Sequence, residues 1–167
     1  SEDDFENIII ENCCISRTNR GISLHLRDKG NIRNVLVSNV TIETRRFSEQ
    51  WWGRAEPVYI TVMDRKEGVT AGQISKVRLR DINCRGENGI WGLKLENVHV
   101  TLEKQSKWPC DSYDIRPCRE NGILHSGLYG LYAEMVDGLV LSDLQIECCK
   151  SMEPYVAGER NLRGVNG

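Results

Sequence analysis

Short runs of alternating apolar residues recur along the chain, each interrupted at a fixed place by an asparagine or aspartate. Three or four strand-like residues precede this polar residue, and a second short apolar run follows it. Asn and Asp tolerate left-handed backbone angles and bond to nearby main chain, so the pattern predicts a one-residue corner between two strands. Five segments share it, namely residues 7–15, 34–42, 76–84, 93–100 and 138–146, with corners at Asn12, Asn39, Asp81, Asn97 and Asp143.

Further strand-like runs with a period of two lie between the corner segments, at residues 21–26, 57–62 and 127–132. No stretch keeps the apolar spacing of an amphipathic helix. Asn12 and Asn39 are 27 residues apart, which suits one coil of a solenoid, and the longer gaps after Asn39 and Asn97 predict projecting loops. The sequence therefore predicts an all-β fold: a right-handed parallel β-helix of stacked short strands, with little or no helix, in which residues 1–167 are one domain.

The composition is that of a folded domain with a nearly balanced charge. Of the 167 residues, 40% are hydrophobic and 28% are charged, which permits a sizeable core and is too apolar for disorder. A net charge of −2 argues against a nucleic-acid partner, which needs a basic face. No apolar run approaches the roughly 20 residues that span a bilayer, and no signal peptide is recognised. We therefore expect no nucleic acid and no membrane among the partners.

The cysteines favour a reducing compartment. There are seven, and two pairs are adjacent, at 13–14 and 148–149; neighbouring cysteines rarely bridge, and no Cys-x-x-Cys spacing suggests zinc. We interpret most of them as small buried thiols, which favours a cytoplasmic location, with a Cys110–Cys118 pair as the alternative in an exported protein. His99 and His125 have no partner at metal-ligand spacing, so we expect no metal and no cofactor.

Several motifs, in a fixed order, carry a family resemblance. They are Arg-Gly-Ile-Ser-Leu-His-Leu-Arg-Asp-Lys-Gly at 20–30, Asn-Ile-Arg-Asn-Val-Leu-Val-Ser-Asn at 31–39, Trp-Trp-Gly-Arg-Ala-Glu-Pro-Val-Tyr at 51–59, Glu-Asn-Gly-Ile at 87–90 and Tyr-Asp-Ile-Arg-Pro at 113–117. Together they resemble the C-terminal half of glycoside hydrolase family 28, and within it a bacterial branch of polygalacturonase-like proteins. The resemblance implies a right-handed parallel β-helix that hydrolyses polysaccharide by inversion.

The catalytic motifs of that family have no counterpart in this chain. Family members use aspartates in Asn-Thr-Asp and Asp-Asp motifs with a Gly-His-Gly on the next coil. Neither Asn-Thr-Asp nor Gly-His-Gly occurs here, and the one Asp-Asp, at residues 3–4, stands without them. The resemblance implies that they precede residue 1, so that the chain holds the C-terminal coils of a longer β-helix. Inversion needs two carboxyl groups about 6.5–9.5 Å apart, and the weak candidates within the chain are Asp28, Glu56 and Asp64. Since each also suits an ordinary structural role, the chain alone is expected to be inactive.

A candidate sugar-binding wall combines one strand face with one loop. Alternation places Ser23, His25 and Arg27 on the same face of a strand, where they suit either a sugar groove or a solvated surface. A Ser–His nucleophile pair is not expected, because the sequence offers His25 no orienting acid. In the loop, indole rings stack on apolar sugar faces and a guanidinium holds a carboxylate or hydroxyl pair, and we expect one tryptophan to pack and one to be exposed. The predicted substrate-binding residues are Arg20, Ser23, His25, Arg27, Trp51, Trp52 and Arg54.

Two functions remain open from the sequence. In the first, the chain is the C-terminal portion of a polysaccharide-degrading glycoside hydrolase and forms one wall of its cleft. In the second, it is a non-catalytic carbohydrate-binding or structural β-helix module. The expected ligand in both is a polysaccharide or oligosaccharide. Both also expose an open helix end, so we expect an N-terminal segment of the same protein or a second copy to cap it.

Overall fold

The computed structural model describes residues 2–91, 94–118, 121–134 and 139–165. Within these residues the all-β prediction is confirmed: no α-helix occurs, and the one helical element is a short 3-10 turn at Lys150–Met152. The strands are β1 (Phe5–Thr18), β2 (Ile22–Leu26), β3 (Ile32–Thr44), β4 (Val58–Val62), β5 (Ile74–Gly86), β6 (Ile90–Trp91), β7 (Lys94–Leu102), β8 (Ser112–Asp114), β9 (Ile123–His125), β10 (Leu128–Glu134), β11 (Val140–Cys148) and β12 (Val156–Arg163).

Parallel pairing dominates the architecture. The largest sheet, called the long sheet here, has the order β1-β3-β5-β7-β11 and is parallel throughout. Shorter strands form two parallel sheets, β2-β4 and β12-β10-β6; β2, β4, β6 and β10 lie between members of the long sheet along the chain, and β12 follows its last strand. The antiparallel β8–β9 hairpin belongs to the connection between β7 and β10. The chain thus returns to the long sheet after β2, β4, β6 and β10.

The predicted corners are confirmed. All five have left-handed backbones, with φ of 55° at Asn12, 51° at Asn39, 55° at Asp81, 51° at Asn97 and 54° at Asp143. The strand registers stack them in one column across the long sheet. Within this corner column, Asn39 Nδ2 donates to Asn12 Oδ1 at 2.7 Å and Asn97 Nδ2 to Asp81 Oδ1 at 2.8 Å. Side-chain amides therefore extend the backbone ladder along the corner.

A second column of left-handed residues, five positions earlier, was not predicted. Asn7, Asn34 and Lys76 have φ of 60°, 57° and 53°, and Asn34 Nδ2 donates to Asn7 Oδ1 at 2.6 Å. Repetition of asparagine at positions 7 and 34 was the available signal, but lysine at 76 breaks it. Leu93 and Gly138, which begin the last two predicted segments, lie outside the described residues.

Replacing Lys76 with asparagine is expected to stabilise the protein. A lysine at φ 53° bears a left-handed strain of about 1 kcal/mol that asparagine largely avoids, and the new amide would lie opposite Asn34. Lys76→Asn should therefore raise the free energy of unfolding by roughly 0.5–1 kcal/mol in urea denaturation. Arg78→Asn, two residues further along β5 at an extended position, is the control, and an equal gain there would contradict the strain argument.

The core lies between the long sheet and the shorter strands, and its side chains are most completely buried in the middle of the long sheet. One column runs through Ile10, Val37, Leu79, Leu95 and Leu141. Its three central members are 0% exposed, whereas Ile10 and Leu141 on the edge strands are only partly buried. Burial therefore falls off at the two edges because a strand covers each of these edge residues from one side only.

The interpretation of most cysteines as buried thiols was wrong. Only Cys84 and Cys110 are buried, and burial raises the pKa of each thiol to about 12. Cys13, Cys14 and Cys148 are exposed because they lie on β1 and β11, the edge strands of the long sheet. Cys110, the first member of the alternative disulfide pair, is a buried free thiol.

Candidate functional site

β2 and β4 present a polar face away from the core. Ser23 aligns with Tyr59, and His25 aligns with Thr61 in the parallel register. The apolar residues of β2 alternate with these and pack in the core, as the period of two predicts. The rings of His25 and Tyr59 meet edge to face with centroids 4.9 Å apart. This face is where the sequence placed part of a sugar-binding wall.

Residues 111–118 cover much of that polar face, and Arg27 fastens them to it. Arg27 Nε donates to Pro117 O at 2.7 Å, and its Nη2 donates to Ile115 O at 3.1 Å. Nη2 also reaches Thr61 Oγ1 at 2.8 Å. With 3% of its surface exposed, Arg27 is a buried anchor, and the structure does not place it where it would contact a substrate.

Arg20 is held in a similar way. Its guanidinium lies 4.1 Å from the centroid of the Tyr59 ring, and its Nε pairs with Glu56 Oε2 at 3.1 Å. Nη2 donates to Asp114 O at 2.9 Å, and Nη1 lies 3.2 Å from His25 Nε2. These contacts link β2, β4 and the covering segment into one unit.

Ser23 and His25 form a close pair beside Arg20. Ser23 Oγ donates to His25 Nε2 at 2.6 Å, and since Arg20 donates to the same nitrogen, the imidazole carries its proton on Nδ1. Burial, with the positive charges of Arg20 and Arg27, lowers the pKa of His25 to about 4. A histidine with this pKa is a weak general base at neutral pH. The pair therefore offers hydrogen-bonding groups rather than an activated nucleophile.

The three candidate acids are all engaged and do not form a catalytic pair. Glu56 is 0% exposed, and besides Arg20 its Oε2 accepts from the backbone N of Arg54 at 2.8 Å. Asp28 is in a two-point ion pair with Arg65, at 3.2 and 3.1 Å. Asp64 Oδ1 accepts from the backbone N of Ala71 at 2.9 Å, so it shapes a turn.

A loop between β3 and β4, residues 45–57, presents exposed aromatic side chains and is called the aromatic loop here. Trp51 is 72% exposed, Trp52 is 52% exposed and Phe47 is 47% exposed. The expectation that one tryptophan packs was wrong. The backbone at Trp52 makes the inward contact, since Asn19 Nδ2 donates to Trp52 O at 2.6 Å, and both indole rings remain on the surface.

Asp114, like Asn19, holds the backbone of the aromatic loop in place. It is 0% exposed, and its Oδ2 accepts from the backbone N of Gly53 at 2.8 Å, where φ is 103°. Arg116 donates to it from Nε at 2.9 Å and from Nη2 at 2.8 Å. Burial alone would raise the pKa of Asp114, but these hydrogen bonds outweigh it and lower the pKa. The sequence motif contained Asp114 without revealing this role.

Positive charge gathers next to the aromatic side chains. Arg54 Nη1 donates to Glu49 O at 3.3 Å, while its Nε is buried and has no hydrogen-bond partner among the described residues. Burial lowers the pKa of Arg54, and the nearby charges of Arg46 and Arg116 lower it further. Arg54 is therefore a half-buried cation that follows the two exposed indoles in sequence, and its unpaired Nε faces the interior of the loop.

Glu87 fixes the other side of the aromatic loop and was not identified from the sequence. Its Oε2 accepts from the backbone N of Arg46 at 2.8 Å, and its Oε1 accepts from Gln105 N at 2.7 Å and from Ser106 N. Lys104 Nζ lies 3.3 Å from Oε1. Burial would raise the pKa of Glu87, but the backbone donors lower it. The loop and residues 104–106 are thus joined through one buried carboxylate.

Comparison with known proteins adds no family to this geometry: no family model, curated protein or solved structure matches the chain. Within the described residues, no group of three or more His, Cys, Asp or Glu side chains is placed to hold a metal ion. No helix in the same part of the chain has the length and apolar character needed to cross a membrane.

Proposed function

We propose that this chain is part of a right-handed parallel β-helix that binds a polysaccharide or oligosaccharide on its aromatic loop. The observation that carries the proposal is the pair of exposed indoles, Trp51 and Trp52. Their backbone is fixed by hydrogen bonds to the side chains of Asn19 and Asp114. Exposed aromatic rings on a fixed backbone form a preorganised binding surface. Flat indole faces suit the apolar faces of sugar rings, and the half-buried Arg54 follows them in the same loop.

The β-helix part of the proposal is supported by the connectivity. Long and short parallel strands alternate along the chain, and corners of one conformation stack across five strands. Connections between parallel strands of one sheet are right-handed in about 98% of cases, which favours a right-handed coil. A single domain over residues 1–167 is part of the same proposal.

The proposed role is binding rather than cleavage by this chain alone. Glu56, Asp28 and Asp64 are each committed to structural contacts, so none of these three candidate acids is free to protonate a glycosidic oxygen or activate water. If the chain belongs to a polygalacturonase-like hydrolase, it forms one wall of the cleft and the catalytic acids lie on other coils. If it acts by itself, it is a carbohydrate-binding module.

Removing either indole is expected to weaken polysaccharide binding about tenfold or more. Loss of an indole contact removes roughly 1.5 kcal/mol of apolar burial, which corresponds to about a factor of ten in Kd. Titration calorimetry of Trp51→Ala and Trp52→Ala against uronate- and rhamnose-containing polysaccharides measures this. Phe5→Ala removes a 50% exposed aromatic residue at the start of β1, outside the aromatic loop, and serves as the control.

Two results would contradict the proposal. Equal affinities for the wild type and both tryptophan variants would remove the aromatic loop as the binding surface. Release of reducing sugar by the purified 167-residue chain would show that catalytic acids are present in it. The expected result is binding to at least one polysaccharide with no release of sugar.

A further inference from the structure

The covering segment, residues 111–118, lies on the polar face of β2 and β4 without joining their sheet. Among the described strands, its β8 residues pair with β9 only. Arg27 donates to two of its backbone carbonyls, Arg20 donates to a third, and its Asp114 carboxylate accepts from Gly53 N. Side-chain hydrogen bonds rather than a strand ladder therefore hold the segment down, so it can lift while the sheets beneath it stay folded.

The start of the covering segment is fixed more firmly than its end. Tyr113 is 2% exposed, and its hydroxyl accepts from Tyr129 N at 2.9 Å. Ser126 N donates to Asp111 O at 3.1 Å and closes the base of the β8–β9 hairpin. Residues 114–118, called the lid here, are therefore the part whose position depends on the two arginines.

His25 is connected to the lid through Arg20. Its Nε2 accepts from Ser23 Oγ at 2.6 Å and from Arg20 Nη1 at 3.2 Å, while Nη2 of the same guanidinium donates to Asp114 O at 2.9 Å. A proton on Nε2 would remove this acceptor and place a second positive charge against Arg20. The charge on His25 therefore decides whether Arg20 can hold the lid from this position.

The surroundings of His25 oppose its protonation while the lid is down. The charged or titratable groups that face it are Arg20, Arg27, Tyr59 and Asp114, with Glu56 behind Arg20. Burial and the two arginines lower the pKa of His25 from 6.5 to about 4, against the opposing charge of Asp114. Lifting the lid lets water reach the ring, so the protonated ring favours the lifted state.

We propose that residues 114–118 are an acid-released lid, which lifts from the polar face of β2 and β4 when His25 takes up a proton and Arg20 releases Asp114 O. Lifting uncovers hydrogen-bonding groups of β4, where Tyr59 is 0% exposed and Thr61 is 7% exposed beneath the lid. Arg27 still holds two carbonyls, so acid shifts the equilibrium toward the lifted state in proportion to the protonation of His25. The proposal does not depend on saccharide binding, because the lid moves in the unliganded chain.

Hydrogen exchange at two N–H groups tests the lid directly. Gly53 N–H is bonded to Asp114, and Arg27 Nε–H is bonded to Pro117 O at 2.7 Å, so each exchanges when the lid lifts. A His25 pKa that rises from about 4 to 6.5 on lifting changes the ratio of lifted to closed lid by roughly ten- to twentyfold between pH 7 and pH 5. NMR exchange rates, corrected for the intrinsic effect of pH, should rise by that factor.

Two histidine variants separate the effect of His25 from a general effect of acid. His25→Gln keeps a neutral acceptor for its two donors but cannot take up the proton, so its corrected exchange rates should be equal at pH 7 and pH 5. His99→Gln removes a histidine that is 36% exposed on the long sheet and should keep the full acid response. Both variants are measured at the same two N–H groups as the wild type.

The backbone N–H of Leu79, which is 0% exposed in the middle of the long sheet, reports global unfolding. It should exchange more slowly than Gly53 N–H and Arg27 Nε–H at both pH values, since the lid lifts without unfolding the sheet. The proposal is overturned if the wild type shows no acceleration at pH 5, if His25→Gln keeps the acceleration, or if the two lid reporters exchange no faster than Leu79.

Discussion

Replacing Arg27 with methionine is expected to lower the free energy of unfolding by about 2–4 kcal/mol, because several buried neutral acceptors lose hydrogen bonds from a charged donor. Methionine keeps much of the apolar stem but removes the donors that reach Pro117 O, Ile115 O and Thr61. The two covering carbonyls would then remain in a buried site without these partners. Urea denaturation at neutral pH measures the loss.

The matched control for this variant is Arg65→Met, which removes a guanidinium that is paired with Asp28. The Arg65 side chain is 48% exposed, and exposed pairs of this kind contribute at most about 1 kcal/mol. Arg27→Lys keeps the charge and loses the planar fork, so its stability should lie between those of the wild type and Arg27→Met. Similar losses for Arg27→Met and Arg65→Met would show that the buried network contributes little.

The part of the fold that could be predicted from the sequence is the part determined by local backbone chemistry. Left-handed corners at Asn12, Asn39 and Asp81 follow from the preference of Asn and Asp for that conformation. The same rule fails at Lys76, where the stacking of β5 on β3 imposes a left-handed angle on a residue that does not favour it. Tertiary packing overrides local preference there.

The roles of the polar residues depended on contacts distant in sequence. Alternation correctly separated the two faces of β2, but it could not show that residues about 90 positions later cover the polar one. Arg27, predicted as a surface contact, therefore became a buried anchor. The sequence predicted that Trp51 and Trp52 lie in a loop. The residue that holds this loop, Asp114, is 61 residues from its partner Gly53, so no local pattern could reveal it.

Two buried carboxylates explain how an irregular loop acquires a fixed shape. Glu87 fixes the start of the aromatic loop through the backbone of Arg46, and Asp114 fixes its centre through Gly53. Each ionised carboxylate accepts several backbone or guanidinium donors, which compensates for its burial. The proposed binding surface should therefore weaken when either carboxylate loses its charge.

Replacing Asp114 with asparagine is expected to lower the free energy of unfolding by about 2–3 kcal/mol at neutral pH, because Arg116 and Gly53 lose a charged acceptor. The same change should weaken polysaccharide binding by freeing the backbone beside Trp52. Asp111→Asn, at a half-exposed neighbouring position, is the control and should change stability by less than about 0.5 kcal/mol.

The pH dependence of stability isolates the charge on Asp114. Its folded pKa is lower than the usual 3.8, so its stabilisation is complete above that pH and is lost as the pH falls through the folded pKa. His25, whose pKa falls from 6.5 to about 4, gives a separate decline between those two values, because the unfolded chain takes up the proton first. Asp114→Asn should keep the decline between pH 6.5 and 4 and show a shallower one below it. An unchanged acid limb in urea denaturation series would mean that Asp114 is not a charged anchor of the aromatic loop.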